Sequence, residues 1–83
     1  MTIRLRFFAS LREKLGEGGP LSLPEGSTVA AAREALLGRD GAHADALARG
    51  KAVRCALNQK MCAESAALSD GDELAFFPPV TGG

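Results

Sequence analysis

The sequence predicts an α+β fold in which a mixed five-stranded sheet packs on one main helix, with one or two short helices. Near each end of the chain, in residues 3–7 and 73–77, apolar residues alternate with other residues at the two-residue period of a strand. Between them, residues 29–37 carry their larger apolar side chains on one helical stripe. The 83 residues leave room for a single domain.

The first strand is expected to run to about Ala9 and to lead directly into a short helix. Ser10 and Glu13 have the spacing of a capping box, in which each side chain accepts a hydrogen bond from the backbone N–H of the other. The helix should end near Leu15. Because so short a helix is a poor crossover between parallel strands, strands 1 and 2 are expected to pair as an extended hairpin.

The second strand and the main helix are predicted from the residues that bound them. Residues 17–20 are expected to form a loop, and a short strand over 21–23 stops at Pro24. Ser27 or Thr28 then caps the main helix, because either hydroxyl can accept a hydrogen bond from a free N–H of the first turn.

Residues 42–47, beyond the main helix, are predicted to form a second short helix. His43 in this polar segment is expected to be solvated. Leu68 follows a run of small residues and is expected to fill the core beneath a loop.

Residues 53–62 predict a β-hairpin whose register can be drawn in two ways. A two-residue turn sets Cys55 opposite Cys62 but places Met61 on the other face from Leu57. One more loop residue pairs Leu57 with Met61 and separates the cysteines. The second register is favoured because it keeps apolar side chains on one face, and both cysteines are expected to be reduced thiols.

The last strand, residues 73–77, is expected to end abruptly. Pro78 and Pro79 have no backbone N–H to donate, so pairing should stop there. We therefore expect a folded domain over residues 1–79, followed by an exposed tail over 80–83 that ends in Gly-Gly.

Composition excludes several classes of function. Ten basic and ten acidic residues cancel, which gives no reason to expect nucleic acid or an anionic membrane as a partner. The four aromatic residues are all Phe, so a base-stacking platform is not expected. No apolar run approaches the ~18 residues of a membrane span, and the first residues have the pattern of a strand rather than a secretion signal. The expected location is the cytoplasm.

The sequence contains no phosphate-binding loop, dinucleotide fingerprint or metal-binding cluster, so no bound cofactor and no metal are expected. The remaining chemical group is the carboxylate of Gly83, which is ionised in the cell and is a poor electrophile until activated. Attack on the α-phosphate of ATP would make an acyl-adenylate, and a sulfur donor could replace AMP to leave a thiocarboxylate. Gly82 and Gly83 have no side chains, so they can enter a narrow channel in a partner.

Five segments carry a resemblance to the small subunits of molybdopterin synthase. They are Phe-Phe-Ala at 7–9, Leu-Arg-Glu at 11–13, Asn-Gln at 58–59, Asp-Gly-Asp-Glu at 70–73 and Phe-Phe-Pro-Pro-Val-Thr-Gly-Gly at 76–83. The resemblance spans the chain, and its most specific part is the last eight residues. It implies a ubiquitin-like β-grasp fold.

The resemblance also implies partners. A ubiquitin-activating-like adenylyltransferase would use ATP to adenylate Gly83, and a sulfur donor protein would convert it to a thiocarboxylate. Thr81 and Gly82 would enter the large synthase subunit, which supplies the catalytic lysines, and the sulfur would pass to a cyclic pyranopterin precursor to build the molybdopterin dithiolene. Two subunits of each kind would form a heterotetramer.

By the same resemblance, the end of the last strand would lie at the interface with the large subunit. The residues concerned are Phe77, Pro78, Pro79 and Val80. An outward-facing Phe beside two prolines makes a compact apolar patch, which suits a docking surface.

Two other functions remain open. Sulfur carriers for thiamin synthesis or tRNA thiolation share the fold and the diglycine end, although Phe-Phe-Pro-Pro before the tail is more similar to the molybdopterin branch. A ubiquitin-like protein modifier would instead join Gly83 to a lysine through an isopeptide bond.

Overall fold

The computed structural model describes residues 1–48 and 50–78, which form five strands and three helices. The strands are β1 (Thr2–Phe7), β2 (Gly18–Ser22), β3 (Arg54–Leu57), β4 (Lys60–Cys62) and β5 (Glu73–Phe77). The helices are α1 (Ala9–Leu15), α2 (Val29–Leu37) and α3 (Gly41–Ala46). The predicted α+β class, with one main helix and two short ones, is confirmed.

The sheet has the strand order β2-β1-β5-β3-β4, so the first and last strands lie side by side. β1 and β5 run parallel, with Leu5 opposite Leu74 and Phe7 opposite Phe76, and the other neighbours pair antiparallel. Because parallel strands end at the same edge of a sheet, the end of β5 lies beside the end of β1.

The core lies between the inner face of the sheet and α2. Val29, Ala32 and Leu36 of α2 are all buried, which confirms the helical stripe. Leu68 is also buried, as predicted. Of the two candidate caps, Thr28 is the one observed, and its hydroxyl accepts a hydrogen bond from the N–H of Ala31 at 3.3 Å.

Arg33 of α2 is a buried charge that the sequence did not predict, with 6% of its surface exposed. Its guanidinium donates hydrogen bonds to the carbonyls of Leu47, Ala48 and Lys51, at 2.8, 2.6 and 3.1 Å. It also forms an ion pair with Glu64. A buried guanidinium is tolerated only when its donors are satisfied, so Arg33 ties the segment between α3 and β3 to the main helix.

The start of α1 corrects two predictions. β1 ends at Phe7 rather than near Ala9, and the capping box of Ser10 and Glu13 is absent. The N-cap is Phe8, whose side chain makes no cap hydrogen bond. The chain reverses at Ala9, with a φ of +52°, and Ser10 already lies inside the first turn. Ser10 therefore lies two positions beyond the N-cap, too late to cap the helix.

β2 begins earlier than predicted. It pairs antiparallel with β1 in an extended hairpin, as expected, but includes residues 18–20, which were predicted to be loop. Gly18 and Gly19 have φ of +116° and +129°, values typical of loops, yet both remain in register with β1. Pro20 is accommodated because β2 is an edge strand.

The predicted short helix over 42–47 is confirmed as α3, but His43 is not solvated. Its ring is buried and meets the edge of Phe7 at a centroid distance of 5.9 Å. Nδ1 of His43 lies 2.8 Å from Oδ1 of Asp40, the N-cap residue, which also accepts from the backbone N–H of His43 at 2.9 Å. These hydrogen bonds, the backbone one foremost, lower the pKa of the Asp40 carboxyl.

The predicted register of the β3–β4 hairpin is wrong. The turn has two residues, 58–59, with φ of +51° and +71°, and Cys55 lies opposite Cys62. Leu57 therefore does not pair with Met61, which points to the outer face with 57% of its surface exposed. Two consecutive positive φ values match the tight turn that follows the twist of a hairpin, and this turn chemistry outweighed the burial of one methionine.

Asn58 fixes this turn to the start of β5. Its backbone N–H donates to the carbonyl of Glu73 at 2.8 Å, and its Oδ1 accepts from the N–H of Glu73 at 3.0 Å. Its Nδ2 donates to Oδ1 of Asp72 at 3.0 Å. Asn tolerates a left-handed conformation better than most residues, so one side chain sets both the turn and the register.

The two cysteines of the hairpin are free thiols whose Sγ atoms lie 3.6 Å apart. Cys55 is buried, and its Sγ donates to the carbonyl of Cys62 at 3.3 Å. Burial, with a further contribution from the hydrogen bond to the Cys62 thiol, raises the pKa of Cys55 to about 12.

Within residues 1–48 and 50–78, no helix is long and apolar enough to cross a membrane. The same residues contain no group of three or more His, Cys, Asp or Glu side chains placed to hold a metal ion.

Replacing Gly18 with Ala should destabilise the β1–β2 hairpin severely. The added Cβ would overlap the carbonyl oxygen of Leu5, and the residue would keep a φ of +116°. We expect the free energy of unfolding to fall by roughly 3 kcal/mol or more in urea titrations. Gly19→Ala is the matched control, because its φ is also positive but no atom lies within 4 Å of its Cβ. A loss of about 1 kcal/mol is expected there, and equal losses in the two variants would contradict the steric explanation.

Ionisation of Cys55 should destabilise the reduced protein in alkali. Its pKa is about 12 in the folded state against an ordinary value of 9.0, so the unfolded chain loses this proton first as the pH rises. The stabilisation is complete below pH 9 and is lost between pH 9 and 12. Urea titrations with reductant should show wild-type stability falling more steeply above pH 9 than that of Cys55→Ala, by up to about 1.4 kcal/mol per pH unit. Parallel pH profiles would refute the shift.

Candidate functional site at the end of the last strand

The predicted site residues fall into two groups. Phe77 and Pro78 are among the described residues and lie at the end of β5. The others lie outside the described residues; these are Pro79, Val80, Thr81, Gly82 and Gly83. The structure therefore describes the base of the predicted tail.

The end of β5 fixes the position of this base within the sheet. Phe77 is the last strand residue and pairs with Arg54 of β3. On the other side, the backbone N–H of Phe8 donates to the carbonyl of Phe76 at 3.2 Å, just beyond the end of β1. Pro78 belongs to no strand, which confirms that ladder pairing stops there. The chain thus leaves the sheet between two neighbouring strands.

Phe8 and Phe77 form a stacked pair, called here the aromatic pair. Their ring centroids are 5.0 Å apart with an interplanar angle of 12°, and both side chains are only partly buried. Cζ of Arg6 lies 5.1 Å from the centroid of the Phe8 ring, within range of a cation–π interaction. Arg6 also lies 3.8 Å from a carboxylate oxygen of Glu73. The pair therefore forms a preorganised apolar surface beside the predicted tail.

Sequence reasoning identified Phe77 but missed Phe8 as its partner. The signal was present in the two Phe-Phe doublets, 7–8 and 76–77, at the ends of two strands. Parallel pairing sets Phe7 opposite Phe76 and stacks them in the core at 6.2 Å. Since successive strand residues point to opposite faces, the second member of each doublet then meets its counterpart outside.

The sheet face away from α2, called here the outer face, continues from the aromatic pair. One row across the strands runs through Arg6, Ala75, Ala56 and Met61. The two alanines are buried, with 4% of the surface of each exposed, while exposed arginines on β1 and β3 edge this face.

A surface depression begins at Pro78. It is lined by Pro78, by Leu11 and Lys14 of α1, and by Lys51 and Val53 before β3. The first described residue beyond β5 therefore lies against α1 and the β3 approach rather than in open solvent.

Comparison with known proteins identifies the family of this chain. The family model described as the ThiS family matches residues 5–83, which is nearly the whole chain and includes its last residue. The chain belongs to the ThiS family. The match covers both the aromatic pair and the diglycine end.

Relatives of this ThiS-family chain confirm the resemblance seen in its sequence. It is 41% identical over 81 residues to the molybdopterin synthase sulfur carrier subunit of Escherichia coli, covering 98% of this chain and 99% of that one.

Two solved structures confirm the β-grasp fold. The small archaeal modifier protein 1 of H. volcanii has a TM-score of 0.76 at 28% identity, with 95% of this chain and 98% of that chain covered. A complex of subunits 1 and 2 of the molybdopterin-converting factor from Helicobacter pylori contains a chain with a TM-score of 0.70 at 25% identity, covering all of both chains.

Proposed function

We propose that this ThiS-family chain is the sulfur carrier subunit of a molybdopterin synthase and that its reacting group is the carboxylate of Gly83. The observation that carries the proposal is the exit of β5, where a paired strand ends at Phe77 and a proline follows. The 41% identity to the E. coli sulfur carrier subunit, over 98% of this chain, supports it. So does the family match, which reaches residue 83.

The chemistry begins with activation of the carboxylate. An oxygen of the Gly83 carboxylate attacks the α-phosphorus of ATP on an adenylyltransferase, and pyrophosphate leaves. Hydrosulfide supplied by a sulfur donor protein then attacks the acyl carbon, AMP leaves, and a thiocarboxylate remains. In the synthase, the thiocarboxylate sulfur attacks a carbon of a cyclic pyranopterin precursor, and water then hydrolyses the acyl–sulfur bond, which leaves the sulfur on the precursor and regenerates the Gly83 carboxylate. Two such deliveries complete a dithiolene.

This chain contributes shape and anchoring rather than catalytic groups. Gly82 and Gly83 have no Cβ to meet the wall of a narrow channel, and Thr81 would be the first residue inside it. Pro78 and Pro79 restrict the backbone at the base of the tail and so lower the entropy lost when the tail is threaded. As the family resemblance implies, we place the catalytic lysines on the large subunit.

The aromatic pair and Pro78 are proposed to dock on the large subunit, together with Pro79 and Val80. Stacking holds the Phe77 ring in place before binding, so little side-chain entropy is lost on docking. A heterotetramer with two subunits of each kind is the proposed assembly, and the cytoplasm the proposed location. The H. pylori complex of subunits 1 and 2 supports the pairing with a large subunit.

Protein modification is the second candidate function. The likeness to small archaeal modifier protein 1 favours it, because the same activated Gly83 could be attacked by a lysine amine instead of sulfur. The two functions share the adenylation step and differ in the nucleophile that follows.

Incubation with a matching adenylyltransferase, ATP and a sulfur donor should convert Gly83 to a thiocarboxylate. Replacing one oxygen by sulfur raises the intact mass by about 16 Da, which mass spectrometry resolves. Deletion of Gly83, or addition of one residue after it, should abolish the shift while leaving the circular dichroism spectrum unchanged. An unmodified wild-type chain, or normal sulfur transfer by either variant, would end the proposal.

Phe77→Ala should weaken binding to the large subunit by about 1–3 kcal/mol, as expected for an aromatic anchor near the centre of an interface. Isothermal titration calorimetry with the purified large subunit measures this change. Arg39→Ala, an exposed substitution between α2 and α3, serves as the control and should bind like wild type. A dissociation constant unchanged by Phe77→Ala would remove this ring from the interface.

A further inference from the structure

The β3–β4 hairpin brings two thiols into contact at a place that the proposed function does not use. Cys55 and Cys62 are directly opposite each other, and their Sγ atoms are 3.6 Å apart. Opposite residues of an antiparallel pair have Cα atoms about 4.5–5.5 Å apart, inside the range of about 4.4–6.8 Å that a disulfide spans. The backbone therefore already has the separation that an S–S bond requires.

The two thiols differ in access. Cys62 is partly exposed and lines a surface depression with Met61 and Glu64. Cys55 borders the same depression but is buried, with 4% of its surface exposed, and its Sγ donates to the carbonyl of Cys62. An external oxidant can thus reach Cys62 first, while Cys55 stays in place as the second thiol.

We propose that Cys55 and Cys62 form a redox modification site, which closes reversibly into a cross-strand disulfide by exchange with a small-molecule disulfide such as oxidised glutathione. This inference depends on the hairpin register alone and is independent of the sulfur-carrier proposal.

The exchange balances without any further reactant. The Cys62 thiolate attacks one sulfur of oxidised glutathione, so that a mixed disulfide forms on Cys62 and one glutathione thiolate leaves. Cys55 then loses its proton to solvent, and its thiolate attacks Sγ of Cys62, which releases the second glutathione. Two protein thiols are oxidised to one disulfide, and one glutathione disulfide is reduced to two thiols. Excess reduced glutathione drives the same steps backwards.

The environment of Cys55 makes the second step the slow one. Burial keeps this thiol protonated near neutral pH, so only a small fraction is thiolate at any time. The mixed disulfide should therefore appear transiently and disappear faster as the pH rises.

The disulfide would constrain part of the sheet that adjoins the aromatic pair. It would close a loop of eight residues, 55–62. On its other side, Cys55 pairs with Phe76, the residue before Phe77. The disulfide would thus stiffen β3 and β4 against β5 without changing the strand order.

The test equilibrates the full chain with oxidised glutathione, then unfolds it in urea that contains N-ethylmaleimide, which alkylates any free thiol. The intact mass is then measured by mass spectrometry. Wild type should lose about 2 Da, take up no maleimide and remain monomeric on a non-reducing gel. The midpoint of thermal unfolding should rise by about 5–15 °C and return on reduction. Cys62→Ser should show neither change, and Cys55→Ala should retain a glutathione adduct on Cys62.

Wild-type protein that keeps two alkylatable thiols, accumulates the glutathione adduct or forms intermolecular dimers would overturn the proposal. These outcomes are read from the wild-type chain alone, so they decide the question even if Cys55→Ala fails to fold.

Discussion

The parallel pairing of β1 with β5 is the constraint on which the rest of the structure depends. It places the first and last strands side by side inside one sheet, with Leu5 against Leu74 and Phe7 against Phe76 in the core. The same register stacks Phe8 on Phe77 outside. Because both strands end at one edge, the base of the tail, the aromatic pair and the outer face are neighbours. The candidate site is thus a consequence of one strand pairing.

Two polar side chains help to hold the remaining strands against that central pair. Arg33 donates hydrogen bonds to three carbonyls of the segment that leads into β3, and Asn58 bonds the hairpin turn to the start of β5. Arg33 satisfies carbonyls that would otherwise be buried or partly buried without partners, so removing it costs more than the bonds themselves, whereas the hydrogen bonds of Asn58 are exposed. Together they orient β3, which forms the other wall of the exit at Phe77.

Much of this arrangement was predictable from the periodicity of apolar residues and from the residues that begin or end helices and strands. Alternation located β1 and β5, and Val29, Ala32 and Leu36 located the buried face of α2, because burial on one face leaves a direct trace in the sequence. The errors arose where long-range contacts or turn geometry decide. The Cys55–Cys62 register depends on two positive φ values, and the burial of His43 depends on Phe7 from a distant strand. At the candidate site, the resemblance to molybdopterin synthase small subunits pointed to Phe77, whereas its contact with Phe8 required the parallel register.

The central position of β5 also has a consequence for biosynthesis. A chain emerging from the ribosome presents β1, α2 and β3 long before residues 73–77 exist, and β1 and β3 share no ladder until β5 lies between them. The sheet therefore closes after translation is almost complete, as expected for a topology of high contact order. A truncated product that lacks β5 has a gap in the middle of its sheet and becomes a substrate for proteases. The folded population is thereby restricted to molecules that were synthesised at least as far as the base of the tail.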